Sequence, residues 1–414
     1  MKRALLLLAC LLLRATAADW DDRLDRLGDA LHWASDNGEA RAHLRGTLDL
    51  EGYFYEDPAP ALIHSDQNAL FNPRLTTYLD LQLGSHLYAF AQARLDRGFD
   101  PGDGGLEGRL DEYVVRFTPG DSGGFSLQAG KFATVLGNWV ARHASWNNPF
   151  ITAPLPYENP LGVFDARIPD SVAALQRWAH QPVAAPAWAG HSTAYRLPII
   201  WGPAYTSGAA IRGVIGSLDY AAEWKNVAPS AQPARWGARE LALGDGTFAG
   251  RLGWRPNASW YLGTSASTGS YLDRAARSLL PPGRRLSDYR EVLWAQDAAF
   301  AWRHLQLWAE HYAARFTVPG LGRAAVSSYY LEASYRFTPR FSTALRWNEQ
   351  GRARVRDLAG QVSSWSDPVQ RADVAASYRL NAHTALKLQY SVQEGVGRPG
   401  RHAQAAMSQL TVRF

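Results

Sequence analysis

The last eleven residues, Gln404-Ala-Ala-Met-Ser-Gln-Leu-Thr-Val-Arg-Phe414, alternate apolar and polar side chains. Leu410, Val412 and Phe414 share one parity, and Met407, Gln409, Thr411 and Arg413 share the other. A period of two specifies an extended strand with one apolar and one polar face. The pattern recurs upstream. Leu75, Leu79, Leu81 and Leu83 oppose Arg74, Tyr78, Asp80 and Gln82, while Leu331, Ala333, Tyr335 and Phe337 oppose Glu332, Ser334 and Arg336. Phe341, Thr343, Leu345 and Trp347 oppose Ser342, Arg346 and Asn348, and Leu386, Leu388, Tyr390 and Val392 oppose Lys387, Gln389 and Ser391. Segments of roughly ten residues are long enough to cross a bilayer as tilted strands.

A soluble sandwich also alternates, so the connections decide. Short polar turns at 118–122, 255–257, 338–340 and 381–383 alternate with longer loops near 97–108, 228–245, 270–290, 315–325, 350–369 and 395–403. Tight turns at one end and long loops at the other are the order of a transmembrane barrel, and a sandwich has no reason to keep it. The expected fold is an all-β, antiparallel transmembrane barrel with a short N-terminal helix. Counting back from Phe414 gives about eighteen strands, or sixteen if 171–198 does not form two.

The closing strand with its terminal Phe414 resembles that of Gram-negative outer-membrane β-barrels, porins of the general type included. Ala129-Gly-Lys-Phe132 resembles phosphate-selective porins over those few residues. The resemblance implies placement in the cell outer membrane among outer-membrane lipid and lipopolysaccharide. It implies that Phe414 is part of the signal read by the barrel assembly machinery, and that a homotrimer is possible. It also implies a long loop folded into the barrel to narrow it.

The start of the chain has the parts of a secretory signal peptide: Met-Lys-Arg, the apolar run Ala4–Leu13 and the small-residue site Ala15-Thr-Ala17. Cleavage is expected after Ala17; Leu7-Leu-Ala-Cys10 offers lipidation of Cys10 as the alternative. Leu24, Leu27, Leu31 and Ala34 recur at helical spacing, so residues 18–42 form a periplasmic helical segment, helical from Asp19 to about Ala40, before a barrel over 43–414. With Cys10 as the single cysteine, a disulfide framework and a cysteine metal site are excluded. Loss of Lys2, Arg3 and Arg14 with the leader lowers the formal charge from +5 to +2, too balanced to imply nucleic acid as a partner.

One stretch breaks the alternation. Residues 134–170 contain five prolines between Pro149 and Pro169, which cannot donate to a ladder. The stretch is rich in aromatic and amide groups, and loops of this length are usually functional or disordered; the aromatics argue against disorder. It is the expected constriction loop, with Asn138, Trp139, Arg142, His143, Trp146 and Tyr157 as candidate solute contacts and Asn147 and Asn148 beside them. Aromatic rings with amide and guanidinium groups suit a sugar, and Arg142 with His143 suits a small anion. The competing reading has these residues packing the loop against the wall.

Inward-facing charges are expected to fall into two groups. Early strands carry Asp49, Glu51, Asp80, Asp96 and Glu112; later strands carry Arg251, Arg255, Arg336, Arg346, Arg379 and Lys387. Walls of opposite sign would set a transverse field across the lumen. No nucleophile elbow, zinc-protease motif or phosphate loop occurs. The function expected is a water-filled channel for small polar solutes, without catalysis or cofactor. The alternative is a structural sleeve or docking barrel with a plugged lumen.

Overall fold

The computed structural model describes residues 17–56, 68–97, 105–120, 123–179, 196–237, 245–394 and 402–414. The expected signal peptide and Cys10 lie outside them, apart from Ala17, where the first helix begins. Helix α1, Ala17–Ala30, is followed by the short strand β1, His32–Ala34. The wall then runs through β2 (Ala40–Tyr55), β3 (Ala69–Leu83), β4 (Leu87–Asp96), β5 (Glu107–Phe117) and β6 (Ser126–Phe132). Helices α2 (Leu155–Glu158) and α3 (Val172–Ala179) precede β7 (Thr206–Ile215), β8 (Leu218–Lys225), β9 (Thr247–Trp254) and β10 (Trp260–Ser270). The rest is β11 (Arg290–Trp302), β12 (Leu305–Val318), β13 (Gly322–Arg336), β14 (Phe341–Asp357), the short β15 (Val362–Ser364), β16 (Val369–Arg379), β17 (Thr384–Glu394) and β18 (His402–Arg413).

Each wall strand pairs antiparallel with the next, and β18 returns to β2. The closed barrel has sixteen strands, β1 and β15 lying outside the ring. This is the lower of the two expected counts. Where a further hairpin was the alternative, α3 forms instead, and 180–195 lie outside the described residues.

The alternation explains the wall. On β18, Met407, Gln409 and Thr411 point inward and are buried, while Leu410 and Val412 point outward. On β14 the buried inward set is Ala344, Arg346 and Asn348, and the exposed outward set includes Leu345 and Trp347. Outward aromatics mark two levels: Trp254, Trp260, Trp302, Tyr335, Phe341 and Tyr378 near the short turns, and Phe54, Phe71, Trp294, Trp347 and Tyr390 above. From Trp302 to Trp294 a tilted strand rises about 20 Å, close to the apolar band of such barrels. No described helix is long and apolar enough to cross a membrane.

Two expected loops are mostly strand. β12 and β13 continue to Val318 and from Gly322, and β14 runs to Asp357. The alternation is inverted there, which hid it. Inward Phe316, Val318, Ala324, Val326, Ala353 and Val355 are buried and apolar, whereas outward Arg315, Arg323, Arg354 and Arg356 are exposed.

The seam is closed by the terminal residue. Phe414 and Gly46 exchange both backbone hydrogen bonds at 3.0 Å. The Phe414 ring lies where a Cβ at position 46 would stand, so glycine is needed at this approach. Below that pair the edge of β2 would be bare. Strand β1 covers it by pairing with residues 41–43, which is why the expected long helix stops at Ala30. Asp25 of α1 reaches the β16–β17 turn through His383 Nε2 at 2.9 Å. Deleting Phe414, or replacing Gly46 by leucine, is expected to lower the yield of heat-modifiable barrel several-fold. Wild-type amounts of folded protein from both variants would show that this contact does not close the seam.

Candidate constriction site

Between β6 and β7 the described residues 133–179 and 196–205 leave the wall and fold inside the barrel. Their direction is set by a few anchors. Gly137, at φ +69°, turns the backbone so that the amides of Asn138 and Trp139 donate to Glu310 Oε1 at 2.5 and 2.6 Å. Any side chain at 137 would meet the hydroxyls of Tyr312 and Tyr157. Tyr157 donates to the other oxygen of Glu310 at 2.5 Å. The buried carboxylate therefore collects donors from both ends of the loop, which offsets its desolvation.

Below these anchors the segment descends along one wall. Arg142 donates to Glu332 at 2.6 Å and to Tyr330 at 3.0 Å, and its guanidinium stacks on Trp308. Lys387 donates to the Ser145 carbonyl, and Trp146 lies between Arg413 and Arg379 near the short-turn end. The chain then climbs back. The Ile151 and Thr152 amides donate to Gln389 Oε1, and Arg346 binds the Thr152 carbonyl at 3.1 Å. Arg371 pairs with Glu158 of α2 and donates to the Ala153 carbonyl. Asp373 joins the set, accepting from Arg346 Nε at 2.8 Å, Asn348 at 2.9 Å and Ser391 at 2.5 Å.

The candidate contacts thus divide. Trp139 and Tyr157 are buried against the wall with ring centres 4.5 Å apart. Asn148 is buried too, its Oδ1 accepting from the Phe150 amide. Asn138, Arg142, His143 and Trp146 are half-buried, and Asn147 is exposed. His143 donates through Nδ1 to the Val140 carbonyl at 2.5 Å and accepts at Nε2 from the Tyr205 hydroxyl at 2.7 Å. These roles are those of the neutral ring protonated at Nδ1. Burial, with Arg94 and Arg74 adding to it, holds this imidazole down at about 4.

That value sits below the ordinary histidine range near 6.5, so the released loop binds a proton that the docked loop refuses. The stability of the docked state is full above about pH 6.5 and is lost as pH falls toward 4, by up to roughly 3 kcal/mol. Acidification from about pH 7 to 4.5 is expected to raise protease cleavage within 138–160, and His143→Gln to remove that dependence. Equal cleavage at both pH values would place His143 outside the docking equilibrium.

The expected walls of opposite sign are not present. Asp49 and Glu51 are buried and both bind Arg74 of β3, at 3.1 and 2.5 Å. Asp96 binds Arg109 of β5 at 2.6 Å, and Asp111 binds Arg94 at 2.9 Å and Arg109 at 2.9 Å. Asp80 pairs with Arg45 at 3.0 Å, and Glu112 sits half-buried beside a bulge in β5. Late strands mix signs as well. Arg251 binds Asp297 at 2.7 Å, and Arg346, 2 % exposed, lies between Asp373 and Glu332. Arg255 and Arg336 are exposed at the short-turn mouth, Arg379 is exposed beside Trp146, and Lys387 is buried.

What the sequence reading missed is the row opposite the loop. Arg74, Arg94 and Arg109 face inward on three adjacent strands, with side chains 22 %, 18 % and 14 % exposed. Arg94 stands directly across from Arg109 in register. The inward parity of these positions was the available signal. Among the described residues no group of His, Cys, Asp and Glu converges to hold a metal ion.

No family model and no curated protein matches the chain. Solved structures do. Salmonella typhi OmpF in complex with daunomycin superposes with a TM-score of 0.56 at 10% identity, over 92% of this chain and 100% of that one. OmpT, an outer membrane protein of Vibrio cholerae, gives 0.55 at 7% identity over 92% and 99%. An anion-selective porin from Comamonas acidovorans gives 0.54 at 10% identity over 91% and 100%. The chain has the fold of these porin-like barrels.

Proposed function

We propose that the chain is an outer-membrane porin, a passive and water-filled channel for small polar solutes. The carrying observation is the asymmetry of the interior. Residues 137–158 are fastened to the β12–β18 wall, while Arg74, Arg94 and Arg109 keep part of their side chains open across from them. A solute passing there meets guanidinium and carboxylate groups on one side and the half-buried loop residues Arg142, His143 and Trp146 on the other. Paired charges of both signs suit hydrated, polar solutes over apolar ones. The reading needs no catalysis and no cofactor, and the porins among the structural neighbours support it. A homotrimer belongs to the same reading, a trimer form of the Vibrio cholerae protein being among those neighbours.

A second reading, a sleeve with a filled lumen, has one observation in its favour. The upper interior beside β10–β14 is packed with apolar side chains, among them Leu136, Leu175, Ile199, Tyr271, Phe316 and Trp365. Swelling of liposomes that hold the folded barrel separates the two. Entry of small sugars with exclusion of large oligosaccharides is expected; folded barrel that admits no sugar would establish the sleeve.

A further inference from the structure

The upper outer wall carries six exposed arginines on four neighbouring strands: Arg290, Arg315, Arg323, Arg352, Arg354 and Arg356. All point away from the lumen, because their sequence neighbours Glu291, Phe316, Ala324, Ala353 and Val355 fill the inward positions. They lie above outward Trp294, Tyr329 and Trp347, where the alternation inverts. Arg323 and Arg356 are direct cross-strand partners, and Arg354, opposite Ala325, stands two pairs along on the same face. Like charges opposite each other on one face are destabilising unless an anion lies between them. Among the described residues the nearby carboxylates do not serve. Asp288 accepts from the Arg285 amide, Asp357 accepts from the Gln361 amide, and Glu349 binds Tyr329 one level down. Arg352 is held at φ +51° where the β13–β14 register shifts, a bulge that turns its side chain outward.

We infer that this patch binds the phosphorylated headgroups of lipid in the outer leaflet around the barrel. Three features select this partner. The charge is positive and dense, which matches phosphate with bidentate geometry. The side chains project into the surrounding membrane rather than the pore, so a permeating anion does not reach them. The level sits directly above an aromatic row, where headgroups begin. The inference rests on the outer-membrane reading, with the long loops facing outward.

The test uses the full chain in phosphatidylcholine vesicles made with and without lipid A, comparing wild type with the double variant Arg323→Gln and Arg356→Gln. Lipid A bound per barrel is read by native mass spectrometry after mild extraction. Loss of charge-assisted contacts of this kind is expected to weaken retention about tenfold or more. Heat-modifiable mobility and single-channel current, read in the same vesicles, are expected to be unchanged. Equal retention by both proteins would overturn the inference. So would displacement of lipid A by inorganic phosphate at similar concentrations, which would make the patch a trap for free anions. Absence of current with retained lipid A would count against the channel reading alone.

Discussion

Replacing Asp373 by alanine is expected to destabilise the barrel by about 3–5 kcal/mol and to release the interior segment from the wall. Asp373 takes bonds from Arg346, Arg371, Asn348 and Ser391, all buried. Without it two guanidinium groups keep only Glu332 and Glu158, at 3.9 Å and through a single oxygen. An uncompensated buried charge costs far more than a surface pair returns. Arg346 also holds the Thr152 carbonyl and Arg371 the Ala153 carbonyl, so the loss travels to the loop. Thermal unfolding in detergent and tryptophan fluorescence from the loop measure both effects. Exposed Arg336→Gln serves as the control, with a change within about 0.5 kcal/mol. Matching curves for Asp373→Ala and wild type would mean that the network does not fasten the loop.

The second large effect concerns Arg94. The group facing the loop holds three guanidiniums (Arg74, Arg94, Arg109) against four carboxylates (Asp49, Glu51, Asp96, Asp111). Arg94→Gln removes one positive charge and leaves Asp111 half-compensated. One unit charge at about 5 Å in water is worth roughly 0.8 kcal/mol to each ion, with opposite sign for cation and anion, or about sixteenfold at most in the cation-to-anion permeability ratio. Reversal potentials at low salt read this directly. The shift toward cations shrinks near 1 M salt, where the screening length is about 3 Å. Neutralising Arg346, by contrast, tests stability, since that side chain is sealed between Asp373 and Thr152. An unchanged potential for Arg94→Gln would move the conducting path away from this row.

The wall was legible because an apolar outer face imposes one rule at every second position. Leu345 and Trp347 against Arg346 and Asn348 show it within four residues. The closing seam was legible in Phe414, though its partner Gly46 was not, since register is a property of two strands. Strand length failed where the rule reverses: at Arg323, Ala324 and Ala325 the apolar residue points inward because the interior there is an apolar plug. The charge arrangement failed for a related reason. Parity tells that Asp49 and Arg74 both face inward, but not that they meet across β2 and β3. Trp139 and Tyr157 read alike as solute contacts or as packing, and only the position of Glu310 on β12 decides between them.

The open path beside a fastened loop is tested most directly by single-channel current in planar bilayers, wild type against a deletion of about residues 138–160. The expected wild-type record is stepwise and ohmic, with a larger step for the folded deletion variant, because the anchored segment takes up part of the lumen. A folded wild-type barrel that passes no current, or a deletion that leaves the step unchanged, would contradict a channel narrowed by this loop.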